Sequence, residues 1–206
     1  MGLLGLLSDP LLFLVAAAAS VFGLVVHNLA QAWTAARLGD RTPVVAGFLT
    51  LEPRVHLDPF GVLLLFLLGF GWPRFVPTRL YDRREAWVAL AGPVGFWLAA
   101  FAYLLLARVL PRGMGLAPVA EGLEVASLVM IRHAAVYLFP VPPLDGARLV
   151  RALGGPEVHR LMHQMESWGP VGFLLIFLVL SYTGVLATVE YGLFGLMSGI
   201  LRALGV

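Results

Sequence analysis

Long apolar stretches constrain this sequence more than any other feature. A helix needs roughly 20 predominantly apolar residues to cross the hydrocarbon core of a membrane. Four segments have that length and character, namely 11–38, 85–110, 120–139 and 169–200. Of all residues, 60% are hydrophobic and 13% are charged, whereas a soluble domain has about 45–50% and about 25%. The chain is therefore predicted to be an all-α polytopic membrane protein, a bundle of transmembrane helices.

The polar sequence is too short to form a second unit, so residues 1–206 are expected to make a single membrane-embedded domain. Its C-terminal part, 154–206, joins a polar amphipathic segment to the last apolar segment, in which Gly184 is a candidate bend or split. β-Branched residues, a glycine and two prolines predict that 43–58 is extended, with a short hairpin as one form. The apolar run 59–72 is short, which favours a re-entrant or interfacial segment, although a full crossing stays open.

The distribution of arginine predicts the orientation in the membrane. If 59–72 re-enters, Arg108, Arg112 and Arg202 fall on one side, and the loops on the other side carry most of the remaining arginines. The positive-inside rule then places these arginine-rich loops in the cytoplasm of a multi-pass protein of the cell (inner) membrane. The arginines are scattered over loops, so no nucleic-acid partner is expected. The absence of cysteine excludes disulfides and thiolate metal sites.

Three polar residues interrupt the first apolar segment, in "FGLVVHNLAQAW" at 22–33. His27 and Gln31 are four residues apart and lie on one helix face, with Asn28 next to the histidine. Two ligands at this spacing can hold one metal ion, and a catalytic zinc needs a third protein ligand. The alternative is a buried cluster that hydrogen-bonds neighbouring helices.

A second polar site follows the third apolar segment, in "FPVPPLDGARLV" at 139–150. Asp145 lies between a proline-rich turn and a glycine, where a short helix is predicted to begin at Leu144. Its carboxylate could cap the N-terminus of that helix. It could equally be an oxygen ligand directed back into the bundle.

Five segments together resemble one protein family. In chain order they are "HNLAQAW" (27–33), "RLGDRTPVVAGFLTLEPRVHLDPFG" (37–61), "GWPRFVP" (71–77), "AGPVGF" (91–96) and "YLFPVPPLDG" (137–146). The motifs in these segments and their order along the chain resemble those of the site-2 protease family, the intramembrane zinc metalloproteases, in its short prokaryotic form. The resemblance covers the framework from about residue 20 to 153 and implies a site-2-protease-like helix bundle.

The resemblance implies roles for the polar residues in both segments. In the family, two helix histidines and the aspartate of L-D-G bind zinc, and a glutamate beside the first histidine is the general base. His27 and Asp145 match two of the zinc ligands. Gln31 stands at the position of the second histidine, and Asn28 stands at the position of the glutamate. An amide is a weak zinc ligand and cannot accept a proton from zinc-bound water, so zinc binding is in doubt and no other cofactor is expected.

Two further positions depart from the family pattern. The family has asparagines near the site that are implied to hold the peptide substrate or its oxyanion. Phe96 and Tyr137 stand at these substrate-binding positions. The phenylalanine has no donor for an oxyanion, and the tyrosine has a hydroxyl in a different place.

Other histidines could replace the missing ligand. His133 and His56 are interpreted as structural, with a role as ligands kept as the alternative. His159, His163 and Glu166 form the pattern H-x-x-x-H-x-x-E. Arg160 occupies the general-base position in that pattern, and the segment is polar throughout, so a solvated interfacial helix is predicted there.

The residues and the resemblance predict a proteolytically inactive member of the family. Such a protein would keep its cavity and bind a transmembrane or membrane-associated protein segment without cutting it. The first alternative is an active intramembrane zinc metalloendopeptidase with an atypical His/Gln/Asp site. The second is a non-catalytic scaffold in the lipid bilayer, and a homo-oligomer is open in each case.

Overall fold

The computed structural model describes residues 2–113 and 115–205, and the chain is helical over most of these ranges. A short 3-10 turn at Leu3–Leu6 comes first. Ten α-helices follow in the described ranges: α1 Pro10–Arg37, α2 Thr42–Val45, α3 Pro53–His56, α4 Pro59–Leu68, α5 Arg83–Val109, α6 Ala117–Tyr137, α7 Asp145–Leu153, α8 Pro156–Ser167, α9 Gly169–Tyr182 and α10 Val185–Ala203. The same ranges contain no strand, only an isolated bridge between Leu57 and Pro73. The predicted all-α fold is therefore confirmed.

Three of the described helices, α1, α5 and α10, are long and apolar enough to cross a membrane. The predicted segment 120–139 corresponds to α6, a helix of 21 residues. It carries Glu121, Glu124 and Arg132 and is not among the three candidate spans. The predicted segment 169–200 is divided into α9 and α10 at Gly184, whose φ of 74° ends the first helix and starts the next.

Local sequence explains where α1 begins and ends. Pro10 occupies its first position, where a missing N–H costs nothing, and Asp9 caps it by accepting a hydrogen bond from Leu12 N over 3.0 Å. Beyond the C-terminus, Gly39 has a φ of 95°, which a residue with a side chain rarely adopts.

Helices α1, α5 and α6 pack together as the centre of the bundle, and α10 packs on α5 and α6. Hydrogen bonds from side chains to backbone carbonyls connect the helices. Tyr103 of α5 donates to Ala19 O over 2.8 Å, and Ser127 of α6 donates to Ala100 O over 2.9 Å. Such bonds keep polar groups satisfied where water is absent.

The segment between α1 and α5 differs from the prediction. The stretch 43–58 is not a hairpin, because Pro43 and Pro53 each occupy the first turn of a short helix. The run 59–72 forms α4, whose 10 residues are too few for a crossing that needs about 20. Further along the chain, Pro93 lies inside α5, which is nevertheless a continuous helix.

Candidate functional site

Two glycines of α5 let α1 approach at the candidate site. A Cβ atom on Gly95 would lie 3.2 Å from His27 Cα and 3.1 Å from Val26 O. A Cβ atom on Gly92 would lie 2.4 Å from His27 Nε2, 2.6 Å from Asp145 Oδ2 and 2.6 Å from Gln31 Nε2. These three polar atoms therefore converge on one small space, which exists because residue 92 has no side chain.

The three residues at the positions for which the resemblance implies zinc ligands are thus brought together. His27 Nε2 lies 2.7 Å from Asp145 Oδ2, and both residues are buried. The other ring nitrogen, Nδ1, lies 3.0 Å from Asn28 Oδ1. Each ring nitrogen of His27 therefore faces an oxygen atom of a neighbouring side chain.

Asn28 is fully buried and uses both ends of its amide. Its Oδ1 contacts the His27 ring, and its Nδ2 donates to Arg74 O over 2.9 Å and to His56 O over 3.4 Å. The two carbonyls fix which end of the amide is the nitrogen. Asn28 therefore connects α1 to the loops that precede and follow α4, and it orients the histidine ring.

Arg148 of α7 organises the other side of the site. Its Nη1 donates to Asp145 Oδ1 over 3.1 Å and to Gln31 Oε1 over 3.2 Å. Its Nε and Nη2 donate to Glu85 Oε1 over 2.9 and 2.6 Å. Thr78 also donates to Glu85, over 3.1 Å. The network extends from α1 through α7 to the first turn of α5.

Asp145 does not cap α7. It is the first residue of that helix, and the preceding Leu144 is the N-cap residue without a side-chain bond. The carboxylate instead points into the bundle, to His27 and Arg148. Burial acts to raise the pKa of Asp145, but the charge and hydrogen bond of His27, together with the charge of Arg148, outweigh it and hold the pKa below the ordinary value.

The donor set does not fit a three-ligand zinc site. Because Arg148 binds Gln31 Oε1, the amide Nε2 is the atom that faces His27 and Asp145, and it has no acceptor in hydrogen-bond geometry. An amide N–H cannot coordinate a metal. Only one imidazole and one carboxylate remain, and among the described residues no group of three His, Cys, Asp or Glu side chains could hold a metal ion.

The two aromatic residues at the family's asparagine positions flank His27. The ring of Phe96 lies 4.4 Å from the imidazole between centroids, and the ring of Tyr137 lies 5.0 Å away. Phe96 is fully buried and packs behind the histidine, whereas Tyr137 lines the cavity next to the site. Of the two predicted substrate-binding positions, only Tyr137 can therefore be reached from the cavity.

Neither of the two buried histidines supplies a further ligand. In α6, His133 donates from Nδ1 to Val129 O over 2.7 Å and accepts at Nε2 from Gly71 N over 3.1 Å, so both nitrogens are used. His56 contacts Thr50 O through Nε2 over 2.8 Å, and its own carbonyl accepts from Arg74 N over 2.6 Å. Burial lowers the pKa of His56. His133 therefore has hydrogen bonds at both ring nitrogens, as a structural residue would, whereas Nδ1 of His56 is buried without a hydrogen-bond partner among the described residues.

The H-x-x-x-H-x-x-E pattern lies on α8, and of its three residues Glu166 lines the cavity that contains His27. His159 and His163 are exposed, and His159 contacts Gly155 O at the start of its own helix. Glu166 forms an ion pair with Arg151. The prediction of a solvated helix agrees with this exposure.

A cavity of about 670 Å³ opens onto the site. His27, Gln31, Asp145 and Arg148 form its polar end. Its remaining wall is mainly apolar and comes from the 70–76 segment, the proline turn before α7, and the end of α8: Phe70, Trp72, Phe75, Val76, Pro142, Pro143, Leu144 and Met165. The lining also includes three charged residues, Asp58, Arg74 and Glu166. The volume lies within the range of ligand-binding cavities.

Sequence reasoning missed Arg148, Glu85 and Gly92 as parts of the site. Arg148 follows Asp145 by three residues, so the helical period places both on one face of α7. Gly92 lies in the "AGP" sequence, which signalled close packing without naming what approaches. Glu85 gave no signal, because its partner comes from 63 residues further along the chain.

Comparisons with known proteins give a consistent result. The chain is 38% identical over 168 residues to "Putative zinc metalloprotease YwhC" of Bacillus subtilis, covering 76% of this chain and 77% of that protein. It is 30% identical over 201 residues to "Putative zinc metalloprotease Rip2" of Mycobacterium tuberculosis H37Rv, covering 93% and 77%. For Rip2 of Mycolicibacterium smegmatis the identity is 28% over 177 residues, covering 82% and 67%. No family model and no solved structure matches.

Proposed function

Because this chain belongs to the site-2 protease family of membrane proteins, we propose that it is a proteolytically inactive member that binds a client segment in its cavity. The client is a transmembrane or membrane-associated stretch of another protein. The protein lies in the inner membrane of the cell, and its arginine-rich loops face the cytoplasm.

This proposal rests on the hydrogen bonds and orientation of two side-chain amides, those of Gln31 and Asn28. Gln31 offers an N–H where a second imidazole would coordinate zinc, and Asn28 is held by two backbone carbonyls where a general base would stand. Loss of a general base alone lowers a rate by about 10²–10⁴. The framework around these positions is retained, as the packing of Gly92 and the position of Asp145 indicate.

The cavity supports client binding without cleavage. Its aromatic and aliphatic wall can contact apolar side chains, and Arg148 and Tyr137 offer hydrogen-bonding groups to a peptide backbone. A partly unwound transmembrane segment has both kinds of surface. Binding in the cavity would satisfy peptide groups that lipid cannot satisfy.

The decisive experiment measures cleavage and metal content together. Purified protein is incubated with casein and with a model transmembrane substrate, with added zinc and with chelator. We expect no cleavage above the level of an Asp145→Ala control and zinc far below one ion per chain by elemental analysis. Cleavage that requires metal and is lost in the control would overturn the inactive assignment.

A second candidate is an active zinc metalloendopeptidase with an atypical His/Gln/Asp site. It is favoured by the convergence of His27, Asp145 and Gln31 on the space beside Gly92 and by the names of the relatives. Under this candidate, zinc is stoichiometric and disappears when His27 or Asp145 is replaced by alanine. The metal measurement therefore separates the two functions even where a substrate is not cut.

Client binding has its own test. A photo-crosslinking amino acid replaces Met165, which lines the cavity, and the matched control replaces Tyr191, which is 77% exposed on α10. The probe is a synthetic apolar transmembrane peptide in the same micelles. We expect crosslinking at 165 that an excess of unlabelled peptide suppresses, and little at 191. Equal labelling at both positions would favour the scaffold alternative.

A further inference from the structure

A second cavity of about 670 Å³ lies between the chain that leaves α1 and the chain that enters α5. It shares no lining residue with the cavity at His27. The charged residues of its lining are three arginines, Arg41, Arg79 and Arg84, and one acid, Asp40. Three positive charges against one negative leave the lining with a net charge of +2.

The acid in this lining is held mainly by backbone groups and compensates the charge of one arginine, Arg79, only in part. Asp40 is buried, and its two oxygens accept hydrogen bonds from the backbone N–H groups of Thr42 and Arg79, over 2.9 and 2.5 Å. The Arg41 side chain is exposed and makes no ion pair or hydrogen bond with any described residue. Arg84 pairs with the exposed Asp82 over 2.9 Å, so its charge is only partly compensated. The cavity therefore presents guanidinium groups to an external anion.

This cavity lies where two candidate membrane spans, α1 and α5, have adjacent ends. α1 ends at Arg37 and α5 begins at Arg83, and Nη1 of Arg84 donates to Leu38 O over 3.3 Å, so the two ends are adjacent. Both carry an exposed tryptophan one turn inside the span. Trp33 is 55% exposed, and the Cζ atom of Arg37 lies 5.0 Å from the centroid of its ring. Trp87 is 63% exposed.

Tryptophan in such a position is typical of the membrane–water interface. The two tryptophans therefore place the cavity at the level of the lipid headgroups. Val45, which lines the cavity and is 87% exposed, adds an apolar surface at the same level. An occupant with a charged group and an adjoining apolar chain would contact both kinds of surface.

We propose that this cavity binds the phosphate headgroup of an anionic phospholipid. Guanidinium groups match phosphate oxygens in paired hydrogen bonds, and basic residues at the end of a span attract anionic lipid. The cavity is independent of the client site, so this assignment holds whether or not the protein cleaves a substrate.

The test uses the full-length protein in phosphatidylcholine nanodiscs with and without phosphatidylglycerol. Retained phosphatidylglycerol is counted by native mass spectrometry, and its affinity is measured by titration in phosphatidylcholine-containing micelles. We expect Arg41→Gln and Arg79→Gln each to weaken phosphatidylglycerol binding about fivefold, the effect of one basic residue at an anionic surface. Arg41→Lys keeps the charge and should retain most of the affinity.

The matched control is Arg54→Gln, which removes the same charge from α3, outside the cavity, where the side chain is 94% exposed. We expect it to bind phosphatidylglycerol as the unchanged protein does. An equal loss in Arg54→Gln would mean that only diffuse surface charge attracts the lipid and would overturn the site. Displacement of the lipid by equimolar inorganic phosphate would assign the cavity to a soluble anion instead.

Discussion

Asp145 Oδ2 lies 2.7 Å from His27 Nε2, although 118 residues separate the two in the chain. The contact joins the start of α7 to the middle of α1, and both residues are nearly inaccessible, at 5% and 3% exposure. A metal site would use the same two atoms. What distinguishes a metal site from a hydrogen-bonded one is therefore the third group, the amide of Gln31.

Replacing Gln31 by histidine should create a zinc site. Position 31 is one helical turn after His27, and its side chain already faces the His27–Asp145 pair. An imidazole there would complete the three protein ligands that a catalytic zinc needs. We expect Gln31→His to retain about one zinc per chain after dialysis, measured by elemental analysis, where the unchanged protein retains little.

Two further variants control this zinc measurement. Gln31→Asn shortens the side chain and removes the Arg148 contact without adding a ligand, so it should retain no zinc. Adding Asp145→Ala to Gln31→His should remove the metal again. The prediction is wrong if Gln31→His holds no more zinc than Gln31→Asn.

Asn28 should resist conversion to a carboxylate. In Asn28→Asp, an oxygen that has no hydrogen to donate faces the carbonyls of Arg74 and His56. A buried group that loses its hydrogen-bond partner costs about 1–3 kcal/mol. We expect the free energy of unfolding to fall by about that amount, measured by denaturant titration in detergent micelles.

The same chemical change at an exposed position is the control for Asn28. Gln164→Glu on α8 also turns an amide into a carboxylate, but its side chain is in contact with solvent. The change should alter the free energy of unfolding by less than about 0.5 kcal/mol. Equal stability of Asn28→Asp and the unchanged protein would show that the two carbonyls do not depend on this amide.

The sequence predicted the fold where a local pattern carries the information. Gly184 marks a split between two helices that the backbone confirms, because glycine acts through the conformation of the chain itself. The hairpin at 43–58 was wrong for a related reason. Pro43 and Pro53 suit the first turn of a helix as well as an extended segment, and the sequence does not decide between them.

The site was only partly predictable, because its network is assembled across the chain. His27 and Asp145 carry recognisable motifs, and the structure brings them together as the resemblance implied. The ion pair between Arg148 and Glu85 joins positions that are 63 residues apart in the chain. No periodic pattern in the sequence distinguishes these two residues from an arginine and a glutamate on the surface. Pairings of this kind follow from helix packing.

Gly92→Ala should disrupt the site from α5. The added Cβ would lie within 2.6 Å of the polar atoms of His27, Asp145 and Gln31, so these side chains must shift to accommodate it. Inserting a methyl group into a packed interior typically costs about 1–3 kcal/mol. We expect a loss of that size in the free energy of unfolding, together with loss of the crosslink between position 165 and the transmembrane peptide.

A second glycine-to-alanine change separates packing from helix propensity. On α10, a Cβ atom at Gly195 would contact nothing within 4 Å. Alanine is favoured over glycine inside a helix by about 0.5–1 kcal/mol, so Gly195→Ala should be neutral or stabilising. A loss of stability in Gly195→Ala as large as that in Gly92→Ala would contradict the close approach of α1 and α5 at residue 92.

Arg148→Met should destabilise the protein more than any exposed arginine replacement. The side chains of Arg148, Glu85 and Asp145 are 12%, 12% and 6% exposed, so removing the cation leaves two buried carboxylates without it. Breaking a buried ion pair in this way costs about 3–5 kcal/mol. The matched control, Arg151→Met, removes the exposed pair with Glu166 from the same helix and should cost about 0–1 kcal/mol. If the two variants unfold at the same denaturant concentration, then water screens the Glu85–Arg148–Asp145 network, and Arg148 does not fix the amide of Gln31 in the orientation that excludes zinc.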